Sequence, residues 1–252
     1  MNKKDAVNQI TLREDTVVAL TTSPVPCLTG VPLLGGVAEV SDGVLSGHEA
    51  SLLLADLDRH MWQPVGLDGI AEHYSDGDQI GSWRATIDSE ALASELWRRM
   101  EGRFGGVTDF TGRLDSDHNN HSRWRAVGIN SRLRCIRYLQ GGLLVPHYDA
   151  PFDYGDGQRR TLRTVVLYLG CVGDVTGGAT RFIADPHGAI PVADKNLADW
   201  ERLARPEEVL ARVNCAPGRV LVFNHRLLHD SEPLEGAGSK TIIRTDIVFE
   251  RA

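Results

Sequence analysis

Val145-Pro146-His147-Tyr148-Asp149 is the stretch on which the reading turns, taken together with His225-Arg226-Leu227-Leu228-His229-Asp230 much later in the chain. His147 and Asp149 are two residues apart. In an extended strand such residues point to the same side, so both can converge on one ion. The later segment offers a second imidazole, from His225 or His229, and spacing alone does not choose between them. Two imidazoles and one carboxylate that leave coordination positions open form the ligand set of non-heme Fe(II) sites that activate O₂. A single H-x-D arises often by chance, so the surrounding chain has to behave as such a site requires.

The chain around this stretch is rich in short strand signals. Arg132–Tyr138, Leu143–Asp149, Thr161–Leu169, Ala179–Ile183, Arg219–Phe223 and Lys240–Phe249 are β-branched or aromatic-rich. They are separated by Gly141-Gly142, Asp156-Gly157, Gly177-Gly178, Pro217-Gly218 and Gly236-Ala237-Gly238, which read as breaks. Many short strands at such spacing predict a mainly β fold with flanking helices, built on a double-sheet jelly roll. One helical insert is expected over 194–212, with Asp194 as its cap.

The N-terminal half reads differently. Thr16–Leu20 and Val37–Val40 are strand candidates, and Pro24, Pro26, Gly30 and Pro32 punctuate a loop between them. Residues 48–60 and 89–104 show the apolar spacing of amphipathic helices, with Ser46 and Ser89 as N-caps. The ends of 61–88 read as strands. With no repeat, low-complexity tract or polar linker, residues 1–252 are expected to form one domain. In it, 1–127 is a helical and strand support region and 128–252 is the jelly-roll core.

Composition limits the function classes. The net charge of -7 argues against a nucleic-acid groove, which normally carries a basic balance. No uncharged apolar run approaches the roughly 18 residues of a membrane span. The polar N-terminus shows no secretory signal. Cys27, Cys135, Cys171 and Cys215 are scattered without a C-x-x-C. They predict reduced, mostly buried thiols in a cytoplasmic protein.

Residues 128–250 resemble the 2-oxoglutarate- and Fe(II)-dependent dioxygenases, on their prolyl-4-hydroxylase-like branch. The resemblance is carried by Arg134–Tyr138, Gly141-Gly142, Pro146–Asp149, Thr164–Leu169, Gly177–Phe182, Pro217–Phe223, His229–Pro233 and Gly238–Lys240, in that order. The N-terminal half has no comparable match. The resemblance implies a double-stranded β-helix core and iron bound by His147, Asp149 and His229. His229 is preferred over His225 because the family's distal histidine is followed by an acidic or small residue and then proline. It further implies an O₂-dependent reaction that converts 2-oxoglutarate to succinate and CO₂ while hydroxylating a C–H bond, with ascorbate in a supporting role. The presence of Asp149 argues against halogenation, because related halogenases carry a small residue there.

The same resemblance places a cation about ten residues beyond the distal histidine, to pair with the far carboxylate of 2-oxoglutarate. A buried carboxylate without such a partner is costly. Lys240 fits that place. Arg244, four residues on and so on the same side of a strand, is the alternative, or it reaches the near carboxylate or the substrate. Tyr168 matches a phenol that donates to the far carboxylate, and Tyr138 is a further candidate. Asn130, Arg132 and Arg134 share one face by alternation and, with Arg84, are candidates for reading a substrate carboxylate. The expected substrate is a small molecule, an amino acid or biosynthetic intermediate. Two alternatives stand beside it: hydroxylation of a protein side chain, as in prolyl hydroxylases, and a non-catalytic jelly-roll binding protein. Neither nucleic acid nor membrane is an expected partner. Asp115–His121 and Asp153–Gly157 read as loops.

Overall fold

A computed structural model describes residues 9–110, 122–185 and 202–252. The N-terminal part contributes β1 (Gln9–Ile10), α1 (Glu14–Thr21), β2 (Gly30–Leu33), β3 (Ala38–Ser41), α2 (Gly47–Leu57), β4 (Gln63–Val65), β5 (Ser82–Asp88), α3 (Glu90–Phe104), β6 (Gly106–Phe110) and β7 (Ser122–Ile129). Then follow β8 (Arg132–Leu139), β9 (Leu144–His147), β10 (Arg159–Gly177), β11 (Thr180–Ile183), β12 (Val209–Val213), β13 (Val220–Asn224), β14 (His229–Ser231) and β15 (Leu234–Arg251).

The last eight strands are divided between two sheets. The large sheet contains the run β8-β15-β10-β13, and the small sheet is β12-β11-β14-β9. Counted from β8 as the first strand, the orders are first-eighth-third-sixth and fifth-fourth-seventh-second. That is the interleaving of a jelly roll, two Greek keys wound into two facing sheets. The large sheet is extended at one side by β5 and β1, and at the other by β3 and β2.

β8, β10 and β15 are covered on both faces, and successive residues of each point alternately to two cores. Leu133, Cys135, Val165, Leu167, Ile243, Ile247 and Phe249 pack against Leu20, Leu53, Leu57, Leu92, Leu96 and Met100 of the three helices. The intervening residues Ile136, Tyr138, Val166, Tyr168 and Ile242 face the other way, in a second core with Phe182 and Phe223. The helical layer is fastened by Arg99, which is buried. Its guanidinium donates to Glu49 and Glu95, and to the Val44 and Leu20 carbonyls. Glu49 also closes the capping box with Ser46 that starts α2, and Ser89 caps α3.

Three expectations are corrected. Thr16–Leu20 is helical, not a strand. Thr16 and Leu20 are buried one helical turn apart while Val18 is exposed, and the Asp56 carboxylate, from α2, accepts the Arg13 N–H at the entry to α1. Val209–Val213 is the edge strand β12 paired with β11, rather than the end of a helix, while Asp194 and the start of that insert lie outside the described residues. Gly236-Ala237-Gly238 is not a break. It continues β15 opposite Gly173–Val175 of β10, where an added Cβ on Gly173 or Gly238 would strike the partner backbone at 2.4 or 2.1 Å. Among the described residues, no helix is long and apolar enough to cross a membrane.

Candidate active site

His147 ends β9 and His229 begins β14, directly opposite it in the antiparallel pair. The two rings lie 4.2 Å apart, centroid to centroid. Asp149, just beyond β9, brings one carboxylate oxygen to 3.6 Å from His229 Nε2. Ligating atoms of all three lie within 4.8 Å of one another, and no other such cluster occurs among the described residues. His225, the other candidate in its segment, is turned away: its Nε2 lies 3.1 Å from Asp246 Oδ1.

The hydrogen bonds around the cluster suit a metal. His147 Nδ1 lies 2.8 Å from the Val145 carbonyl and His229 Nδ1 lies 2.8 Å from the Leu227 carbonyl. A carbonyl can only accept, so each Nδ1 carries the proton and each Nε2 keeps its lone pair for the centre. This is the arrangement that orients metal-ligating histidines. Burial, and next the neighbouring His147, push the His229 imidazole down to about 3, which keeps it neutral. Asp149 Oδ2 accepts from Thr164 Oγ1, and Oδ1 pairs with Arg244 at 3.0 Å. Burial works to raise the Asp149 carboxyl, but Arg244 and then the site histidines outweigh it and hold it well below the usual carboxylate range. The donor set thus fits a divalent ion with open positions.

The cluster opens into a cavity of about 600 Å³ between the sheets. One wall is made by β8 and β15 in register: Arg134 is paired with Arg244, Ile136 with Ile242, and Tyr138 with Lys240. The cavity is therefore layered, with cations above, an isoleucine pair in the middle, and Lys240 at the base. Lys240 is 1% exposed. Its Nζ donates to the Gly178 carbonyl at 2.7 Å and to Ser231 Oγ at 2.8 Å, and lies 4.0 Å from the Tyr138 ring centroid. Burial pushes its ammonium down to about 8.

All the cavity-facing candidates except one meet here: His147, Asp149, His229, Lys240, Arg244, Tyr138, Asn130, Arg132, Arg134 and Arg84 line the same space. Tyr168 does not. It is fully buried, and its hydroxyl donates to Thr180 Oγ1 at 2.8 Å, so Thr180 rather than Tyr168 meets the cavity. Residue patterns had also passed over Thr164 and Ser231. Ser231 was within reach of the period-two rule, two residues after His229 on the same strand. Thr164 lies beside Asp149 only because β10 and the end of β9 belong to the two facing sheets, which no spacing along the chain shows. The thiols are mixed rather than mostly buried: Cys135 is buried, Cys215 half-buried, and Cys27 and Cys171 exposed. The segment Asp115–His121 lies outside the described residues.

No family model and no curated protein matches the chain. Solved structures of similar architecture do exist. A viral collagen prolyl hydroxylase from Paramecium Bursaria Chlorella virus-1, in complex with 2OG, is 18% identical, with a TM-score of 0.47 over 86% of this chain and 97% of that one. A Pseudomonas putida prolyl-4-hydroxylase is 14% identical, with a TM-score of 0.47 over 94% and 98%. An oxidoreductase of the 2OG-Fe(II) oxygenase family from Burkholderia pseudomallei is 15% identical, with a TM-score of 0.49 over 98% and 96%. At identities this low, what the site can do has to follow from its own side chains.

Proposed function

We propose that residues 1–252 act as one unit, a 2-oxoglutarate-dependent non-heme iron oxygenase that hydroxylates an unactivated C–H bond of a small molecule. One observation carries the proposal. A two-histidine, one-carboxylate cluster with both Nε2 lone pairs directed inward shares a cavity with a buried, positively charged lysine. Bound iron supplies O₂ activation, with 2-oxoglutarate as the co-reductant.

The chain's own residues do the rest. His147, Asp149 and His229 hold the metal on one side. The Val145 and Leu227 carbonyls fix the two imidazole tautomers, and Thr164 and Arg244 fix the carboxylate. Lys240 receives the far carboxylate of the cosubstrate. Two of its three N–H donors are engaged by Gly178 and Ser231, so the third remains for that anion. Tyr138, Thr180 and Ser231 add hydroxyls at the same level, and Ile136, Ile242 and Val166 line the space above with apolar surface. That sleeve lowers the local dielectric and strengthens the ion pair.

The size of the cavity supports a small substrate. At about 600 Å³ it falls within the roughly 300–1,000 Å³ of small-molecule sites. The test is turnover: purified protein with Fe(II), ascorbate, O₂ and 2-oxoglutarate, screened against small molecules and proline-containing peptides. Succinate release matched by gain of one oxygen on a small molecule is expected. Turnover of peptides alone would replace the substrate reading, and 2-oxoglutarate binding without turnover of any compound would favour a binding protein.

A further inference from the structure

The upper layer of the cavity holds a cation that the proposed chemistry does not use. Arg134 and Arg244 face each other across the β8–β15 pair. Arg244 is engaged, at 3.0 Å from Asp149 and 3.1 Å from Asp246. Asp246 is also taken by His225. The Arg134 side chain makes no hydrogen bond or ion pair among the described residues; it is half-buried and lines the cavity. Burial, and next the field of Arg244, depress its guanidinium to about 10, still charged near neutral pH. The fields of Asp246 and Asp149 offset this only in part, and a half-buried guanidinium beside another cation favours an anion that can reach it.

The cosubstrate is poorly placed to be that anion. Lys240 and Arg244 are four residues apart on one strand, roughly 13 Å of backbone. A five-carbon diacid held at its far end by Lys240 and at its near end by the metal has both of its carboxylates engaged, which leaves Arg134 for another anion. The rest of that layer is polar and basic. Arg84, which donates to the Gly69 carbonyl, lines it, as do Arg132 and Asn130. Asn130 Oδ1 accepts from the Arg132 N–H, which leaves its amide nitrogen as a donor. Phe152, Pro151 and Tyr148 provide apolar surface on the far side.

We propose that the substrate carries an oxyanion, of the carboxylate or phosphate class, and that Arg134 receives it through its planar fork, with Arg84, Arg132 and Asn130 around it. This assignment rests on the oxygenase reading. It deepens it, because an anion fixed on Arg134 restricts the reactive C–H bond to the part of the molecule that lies between Arg134 and the His147–Asp149–His229 centre. Guanidinium geometry matches the bidentate acceptance that both oxyanion classes offer.

The test uses full-length protein loaded anaerobically with Fe(II) and saturating 2-oxoglutarate. Acetate and inorganic phosphate are titrated separately, with acetamide as the neutral isostere of acetate, and binding is read by thermal shift and calorimetry. Saturable binding of at least one anion, absent for acetamide and weakened tenfold or more in both Arg134→Leu and Arg134→Gln, is expected. The two titrations identify which oxyanion the site takes. The visible charge-transfer band of the Fe(II)–2-oxoglutarate complex should keep its position and midpoint in both variants. No saturable anion binding to wild type, or equal binding to the variants, overturns the proposal. So does loss of the charge-transfer band in both variants, which would assign Arg134 to the cosubstrate. Absence of that band in wild type would instead count against the oxygenase reading itself.

Discussion

Replacing Lys240 with methionine removes one charge from a space that has almost no water to compensate for it. Methionine keeps much of the stem, so the change isolates the ammonium. In the proposed site that ammonium faces the far carboxylate of 2-oxoglutarate inside an isoleucine-lined sleeve. Breaking a buried ion pair from one side costs roughly 3–5 kcal/mol, because the remaining charge is stranded. At about 1.4 kcal/mol per tenfold, 2-oxoglutarate should bind roughly 100- to 4,000-fold more weakly. The pH dependence gives a second reading. Lys240 is a base whose ionisation burial depresses to about 8, so its charge is present below that value and lost as pH rises through it. The competent, charged fraction falls from about nine-tenths at pH 7 to about one-tenth at pH 9, so apparent affinity should fall roughly tenfold between them. Lys240→Met should be flat over the same interval. The assay is anaerobic titration of the Fe(II)-loaded protein with 2-oxoglutarate, followed by its visible charge-transfer absorption, with circular dichroism to verify folding. A variant that binds within threefold of wild type, or a wild-type affinity that rises with pH, would refute the assignment of Lys240. If Arg244→Ala instead gave the larger loss, the far carboxylate would belong to Arg244.

Other perturbations probe separate parts of the molecule. His147→Ala and Asp149→Ala should abolish succinate formation and Fe(II) retention, measured by metal analysis after desalting, while His225→Ala should retain the metal because His225 faces Asp246. Arg99→Met should lower stability by about 3–5 kcal/mol in urea unfolding, since it strands Glu49 in the interior, whereas Glu95 keeps Arg98. Glu49 is lowered to about 2 from 4.5: burial opposes ionisation, but Arg99 and Ser46 outweigh it. Its contribution is therefore fully present above pH 4.5 and is lost as pH falls toward 2, which acid unfolding of wild type and Glu49→Gln should reveal. Cys171 lies at about 7, lowered first by its hydrogen bond with Cys215, and Cys135 is pushed up to about 12 by burial. Iodoacetamide near neutral pH should therefore label Cys171 well before Cys135, as read by peptide mass spectrometry.

What could be read from the sequence, and what could not, follows from the range of the forces involved. The core strands were legible because alternation is local: β8 and β15 each send every second residue to the helices and the others to the cavity. The pairing of His147 with Asp149 was legible for the same reason. α1 was not, because Val17-Val18 favours a strand locally. Its helix is decided by the burial of Thr16 and Leu20 under the helical layer and by an acceptor from Asp56, far along the chain. Gly236-Ala237-Gly238 of β15 reads as a break because glycine interrupts most strands. Here two backbones approach too closely for any Cβ, and that appears only once both strands are laid side by side.

The same distinction separates the parts of the site. Lys240 and Arg244 look interchangeable along the strand, both cationic and both inward. Register separates them: Lys240 sits opposite Tyr138 at the closed base, and Arg244 opposite Arg134 beside the metal cluster. A cation at the base can only meet something that enters the cavity fully. A cation at the level of Asp149 is already engaged by that carboxylate and serves to orient it. Arg134, whose guanidinium pairs with no carboxylate among the described residues, becomes the group that waits for a ligand. Two of the three cations are thus assigned by what already contacts them and the third by what does not, a difference no linear spacing rule contains.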